Sequence, residues 1–237
     1  LVLRTLAELH EELGRATARC DAAGWQALSD ALLALLARPH GDLRPLAKAT
    51  SNCNALLIPW LERHPGARAL ALRIALEPWL ATLLKSPAAV ADALRFAPAR
   101  LQDLHARVGE ASVRLPALSV PEQLALGWIA ERARFAAARA AHGERVLELD
   151  FAALLDGGSA VLARIAEHFG LAHDDAALAR AWHPEVLGRY AKARDHAYSR
   201  ADRDADLAQA RRRFAAEIGA GLRYAETLYA RYPALPR

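Results

Sequence analysis

Two short apolar runs, ARALALRI at 67–74 and RVLELDF at 145–151, interrupt a chain whose other apolar residues recur at helical spacing. Turn residues precede each run, His64-Pro65-Gly66 before the first and His142-Gly143 before the second. RVLELDF alternates apolar and polar side chains, the period of a strand. ARALALRI reads as a buried strand, with helix as the other reading of so Ala- and Leu-rich a run. A third candidate strand, Leu43 to Thr50, contains Pro45, which a strand accepts only at its start or edge. Strands separated by long helical stretches predict parallel pairing under covering helices. The expected fold is α/β, a three-layer αβα arrangement with a mostly parallel sheet, helix-rich, in one domain over 1–237.

The helical stretches have legible faces and ends. Leu6, Leu9 and Leu13 share a face, as do Trp25, Leu28, Leu32 and Leu35. Further helices are predicted from Asn54 to Arg63, from Pro78 to Lys85, and in pieces over 88–120 broken by Pro98, Gly109 and Pro116. Ser119-Val120-Pro121-Glu122 starts a long helix ending at His142-Gly143. Gly157-Gly158-Ser159 resets the chain into a helix stopped by Gly170. A last long helix is predicted from Asp202 to Ala230. Trp25, Trp60, Trp79 and Trp128 lie on apolar stripes and read as core.

Composition narrows the function classes. The 54% hydrophobic and 24% charged residues are globular values. No apolar run reaches the roughly 18 residues of a membrane span, and no secretory pattern is present. Cys20 and Cys53 stand apart without metal spacing, which fits reduced thiols in the cytoplasm. The nine histidines lack ligand spacing, so no metal is expected. The net charge of +4 is spread rather than blocked, which argues against a nucleic-acid binder. The chain opens at Leu1 and has no Met, so a fragment or a trimmed start is expected.

Several ordered stretches together resemble bacterial sulfotransferase-like proteins. They are Lys48-Ala49-Thr50-Ser51-Asn52, then His64 to Arg68, then Leu76 to Lys85, then Gly127 to Glu131. Arg145 to Leu155, Leu162 to Leu171 and Gly188 to Ala193 follow in the same order. The resemblance covers about residues 40–230. It implies a P-loop-type fold that binds 3′-phosphoadenosine 5′-phosphosulfate and moves its sulfonyl group to a hydroxyl or amine. The acceptor would be a small molecule or glycan. Such chemistry needs cations where negative charge builds and a base for the acceptor's proton. The family's Gly-rich phosphate loop has no counterpart, since Gly14 and Gly24 are single glycines in helical patterns.

By the same resemblance Lys48 is the candidate catalytic cation beside the leaving phosphate. Thr50 and Ser51 are candidate nucleotide contacts, and the same residues suit a cap for the helix that follows. Thr82 falls where the family has a Ser on the nucleotide 3′-phosphate. The matching Arg position is Ile74; Arg73, one residue earlier on a strand, points to the other face, so ordinary fold contacts are the other reading for Arg73 and Thr82. Arg189 and Lys192 lie in a polar loop near Tyr190, suited to close over the nucleotide or simply exposed. Asp150 reads as a helix cap at the end of its strand. A catalytically silent binding module on the same fold is the alternative, and a helical nucleic-acid binder a more distant one.

Overall fold

The computed structural model describes all residues except 1, 40, 42–44, 184, 186–187 and 191–192. They form two compact units, Leu1–Ala67 and Arg68–Arg237. The first contains α1 (Val2–Glu12), α2 (Ala22–Leu36), a 3-10 turn (Ser51–Leu56) and α3 (Leu57–Arg63). Leu6, Ala7, Trp25, Cys53 and Leu56 form its core. The Trp25 indole donates to Leu6 O at 2.9 Å, and that of Trp60 to the buried Ser29 hydroxyl at 2.9 Å. The α2 stripe departs from expectation. Trp25, Ser29 and Leu32 face the core, while Leu28 and Leu35 are 51% and 56% exposed. Leu28 and Leu35 sit a residue off the inward i, i+4, i+7 row, and that rotation is enough to turn them out. The strand expected over 43–50 does not form in its described part: residues 45–50 are irregular and exposed. They have no strand partner, and Pro45 has no N–H to offer one.

The second unit begins with β1 (Ala69–Arg73), α4 (Leu76–Leu84), α5 (Pro87–Arg95) and α6 (Ala97–Val108). The long α7 (Val120–His142), β2 (Val146–Asp150), α8 (Phe151–Phe169) and α9 (Asp175–Ala181) follow. A short β3 (Arg189–Tyr190) and β4 (Ala193–Ala197) precede α10 (Arg200–Arg213) and α11 (Ala215–Arg231). Both predicted strands form, and they pair in parallel with Ala69 opposite Val146 and Arg73 opposite Asp150. Among the described residues the parallel sheet ends there; β3 and β4 pair antiparallel. The chain is thus helix-rich with a small parallel sheet, compatible with an α/β fold. Helix α8 packs on both parallel strands and α7 on β2.

The helix starts were well marked. The Ser119 hydroxyl and backbone N–H both donate to Glu122 Oε2 at 2.7 Å, closing the N-terminus of α7. Gly170, at φ 62°, ends α8 as a left-handed cap. The predicted last helix is instead two, because Phe214 leaves helical geometry at φ −116°, ψ 30°. Leu80, Leu124, Leu126 and Ile129 are fully buried at the centre of the unit, with Ile218, Ala225 and Leu228 of α11. Trp79 and Trp128 pack against this core. Among the described residues no helix is long and apolar enough to cross a membrane.

Burial holds two imidazoles of the second unit below their ordinary value. Burial, aided by Arg68 and Arg164, holds the His168 imidazole below its ordinary value of 6.5, although its Nε2 bonds Ala69 O at 3.0 Å. His105 is lowered by burial and then by Arg114. A folded-state pKa below the unfolded one means the unfolded chain takes up protons first as pH falls. The associated stability is present above the unfolded value and lost as pH falls through the folded one. The melting temperature is therefore expected to fall as pH drops below the ordinary imidazole value of 6.5. The double variant His105→Gln, His168→Gln should flatten that slope in a thermal melt; an unchanged slope would show that these rings do not set it.

Candidate functional site

The end of the parallel pair gathers several charged side chains of the second unit. Side chains alternate along a strand, so Ala71 and Arg73 share one face, as do Glu148 and Asp150. The register sets Arg73 against both carboxylates. Its Nε lies 3.4 Å from Glu148 Oε1 and 3.9 Å from Asp150 Oδ2. Arg73 is half-buried, and its Nε makes no aligned hydrogen bond. Glu148 also accepts from the terminal nitrogen of Arg132, a buried residue of α7. Arg132 reaches further, donating to Arg237 O at 3.1 Å. Its guanidinium lies 5.9 Å from the centre of the Trp128 ring. The Trp128 indole donates to Ile74 O at 2.8 Å, tying α7 to the residue just past β1. Asp150 accepts from Ala152 N at 2.8 Å and so caps α8.

This cluster combines two guanidiniums with two carboxylates at the carboxyl ends of parallel strands, the edge where open α/β sheets bind ligands. Arg73 is its half-exposed cation. An anion arriving there competes with Glu148 and Asp150 for the same guanidinium. The sequence given holds no Gly-rich loop of the kind that cradles a phosphosulfate with backbone N–H groups.

The remaining candidates are dispersed. Thr82 follows Arg73 on α4, exposed, with its hydroxyl donating to Pro78 O at 2.7 Å, the ordinary back-bond of a helical Thr. Arg189 is exposed on β3, and Lys192 lies outside the described residues. In the first unit Lys48 is exposed in an irregular segment and Ser51 is exposed at the start of the 3-10 turn. Thr50 precedes that turn without a side-chain cap bond, its Oγ1 3.7 Å from Cys53 Sγ.

Sequence reasoning missed Glu148 and Arg132. The alternation of RVLELDF held the signal for Glu148, because a Glu two residues before Asp150 must share its face. Arg132 carried none, since a helical Arg is ordinarily solvated. Among the described residues no group of three or more His, Cys, Asp or Glu is arranged to hold a metal ion. Compared with known proteins, the chain matches no family model, no curated protein and no solved structure.

Proposed function

We propose that this chain is a sulfotransferase-like protein whose second unit recognises the 3′-phosphate of an adenine nucleotide through Arg73. One observation carries the reading. A half-buried Arg ends a parallel strand and is followed, after two residues, by a helix in which Thr82 is exposed. The sequence resemblance implies such an order for the 3′-phosphate with the Arg at the place of Ile74, and Arg73 supplies the guanidinium from one residue before it. In this reading the phosphate replaces Glu148 and Asp150 as partner of Arg73. The natural ligand is 3′-phosphoadenosine 5′-phosphosulfate, held in the cytoplasm, and the transferred group is its sulfonyl.

A second reading has its own support: a silent binding module on the same scaffold. Arg73 is flanked by two carboxylates, and Lys48, the candidate for the leaving phosphate, is exposed in irregular backbone. Both features oppose transfer more than they oppose binding.

Calorimetric titration with adenosine 3′,5′-bisphosphate tests both readings, and a transfer assay then separates them. Saturable binding is expected, with adenosine 5′-monophosphate weaker by about tenfold, the factor a lost charge-assisted hydrogen bond gives. Arg73→Ala should bring the two nucleotides level. Sulfonyl transfer from the phosphosulfate to a phenol or sugar panel would then favour the enzyme, and binding without transfer the module. Absence of binding by the bisphosphate would sink both readings. A salt-sensitive shift with duplex DNA would point to the nucleic-acid class instead.

A further inference from the structure

A cleft of about 560 Å³ lies in the second unit where the end of α6, the later half of α7 and the tail beyond α11 meet. Ala133, Ala136 and Ala137 of α7 line it, and so does the tail from Pro233 to Pro236. Small α7 side chains keep it open. The tail is fixed: Leu235 is buried, the Tyr229 hydroxyl donates to Pro236 O at 3.4 Å, and Arg132 holds Arg237 O. A volume of this size falls within the range of about 300–1,000 Å³ common for small-molecule sites. Two arginines also line it, Arg107 and Arg231.

Each is held by a carboxylate, and Arg107 shares its carboxylate with a further guanidinium. Arg107 is bound through Nε, to Asp103 Oδ2 at 3.0 Å. The same oxygen accepts from Arg134 Nε at 2.9 Å, so one carboxylate oxygen answers two guanidiniums. Arg231 engages Glu110 through one terminal nitrogen and lies over the Tyr232 ring at 5.3 Å. We propose that this cleft binds a small amphipathic anion. Its apolar body lies against the Ala and Pro walls, and its single anionic head meets Arg107 and Arg231. None of the cleft's lining residues belongs to the strand-end cluster, so the proposal is independent of the nucleotide reading.

Decanoate below its micellar concentration is the probe, with 1-decanol and inorganic sulfate as its two halves. Calorimetry on the full chain should show one saturable decanoate site, with decanol weaker by about tenfold and sulfate alone not saturating. Arg107→Gln with Arg231→Gln should weaken decanoate by about the same factor and leave decanol unchanged. Ala136→Phe, which fills the cleft, should abolish both, and Ala137→Leu is the second filler if the first variant does not fold. Thermal melts confirm that each variant is folded. The proposal is overturned if decanol binds as tightly as decanoate, if a folded filling variant binds unchanged, or if decanoate does not saturate.

Discussion

Glu131→Ala is expected to destabilise the second unit by about 3–5 kcal/mol, the cost of breaking a buried ion pair from one side. Glu131 Oε1 accepts from Arg100 Nε at 2.7 Å and faces Arg134 at 3.5 Å. Arg100 and Arg134 are only 5% and 7% exposed. They belong to a ladder across the α6–α7 interface, where Arg100, Asp103 and Arg107 recur at i, i+3 and i+7. Asp103 continues the ladder by bonding both Arg134 and Arg107. Removing Glu131 takes a carboxylate from two guanidiniums held out of water, Arg134 keeping its bond to Asp103, and neither can lose its charge at any ordinary pH. Arg100 keeps a bond to Ala93 O at 3.3 Å and a place 5.7 Å from the Phe96 ring centre, so it stays buried rather than swinging out. Glu131→Gln, which keeps an acceptor, should cost less. Adding Arg100→Met to Glu131→Ala should recover part of the loss, since an apolar side chain of similar volume replaces a charge held out of water. Denaturant unfolding of these variants measures each term. A loss below about 1 kcal/mol for Glu131→Ala would mean that solvent reaches both guanidiniums.

The sequence made some of this legible and hid the rest for physical reasons. β1 and β2 were readable because an apolar run of strand length between turns has few other ways to bury itself. The start of α7 was readable because Ser119 and Glu122 form a local capping box that needs no distant partner. The segment 43–50 misled because its pattern describes a strand's chemistry, while a strand also needs a neighbour, which no local pattern reports. The break at Phe214 was hidden for the converse reason: helical spacing continues through it, from Leu207 to Ile218. At the candidate site, Arg73 and Asp150 were visible as strand ends, yet their pairing follows from the register of β1 on β2. Arg100, Arg132 and Arg134 were least legible of all. Their burial depends on carboxylates 31, 16 and 31 residues distant in sequence.

Leu80 and Gly221 offer a test of packing where three helices meet. Leu80 of α4 is fully buried, and a side chain added at Gly221 of α11 would meet its Cδ1 at 2.8 Å. The carbonyl of Pro121, at the start of α7, would lie 3.1 Å from the same added carbon. Leu80→Ala should cost about 2–5 kcal/mol, as large-to-small changes at fully buried leucines do. Gly221→Ala alone should cost about 1–3 kcal/mol from overpacking, reduced by the roughly 1 kcal/mol that Ala gains over Gly inside a helix. The two changes should not add. With Leu80 shortened, the 2.8 Å obstruction is gone and the new methyl partly fills the space the leucine left. Only the Pro121 carbonyl still crowds it, by a few tenths of an ångström. The double variant should therefore be more stable than the sum of the single losses by about 1 kcal/mol, a coupling of the size seen between touching residues. A double-mutant cycle in denaturant reads this directly. Additivity within about 0.5 kcal/mol would show that α11 shifts away from α4 to admit the methyl, so that Gly221 does not set the spacing of the two helices.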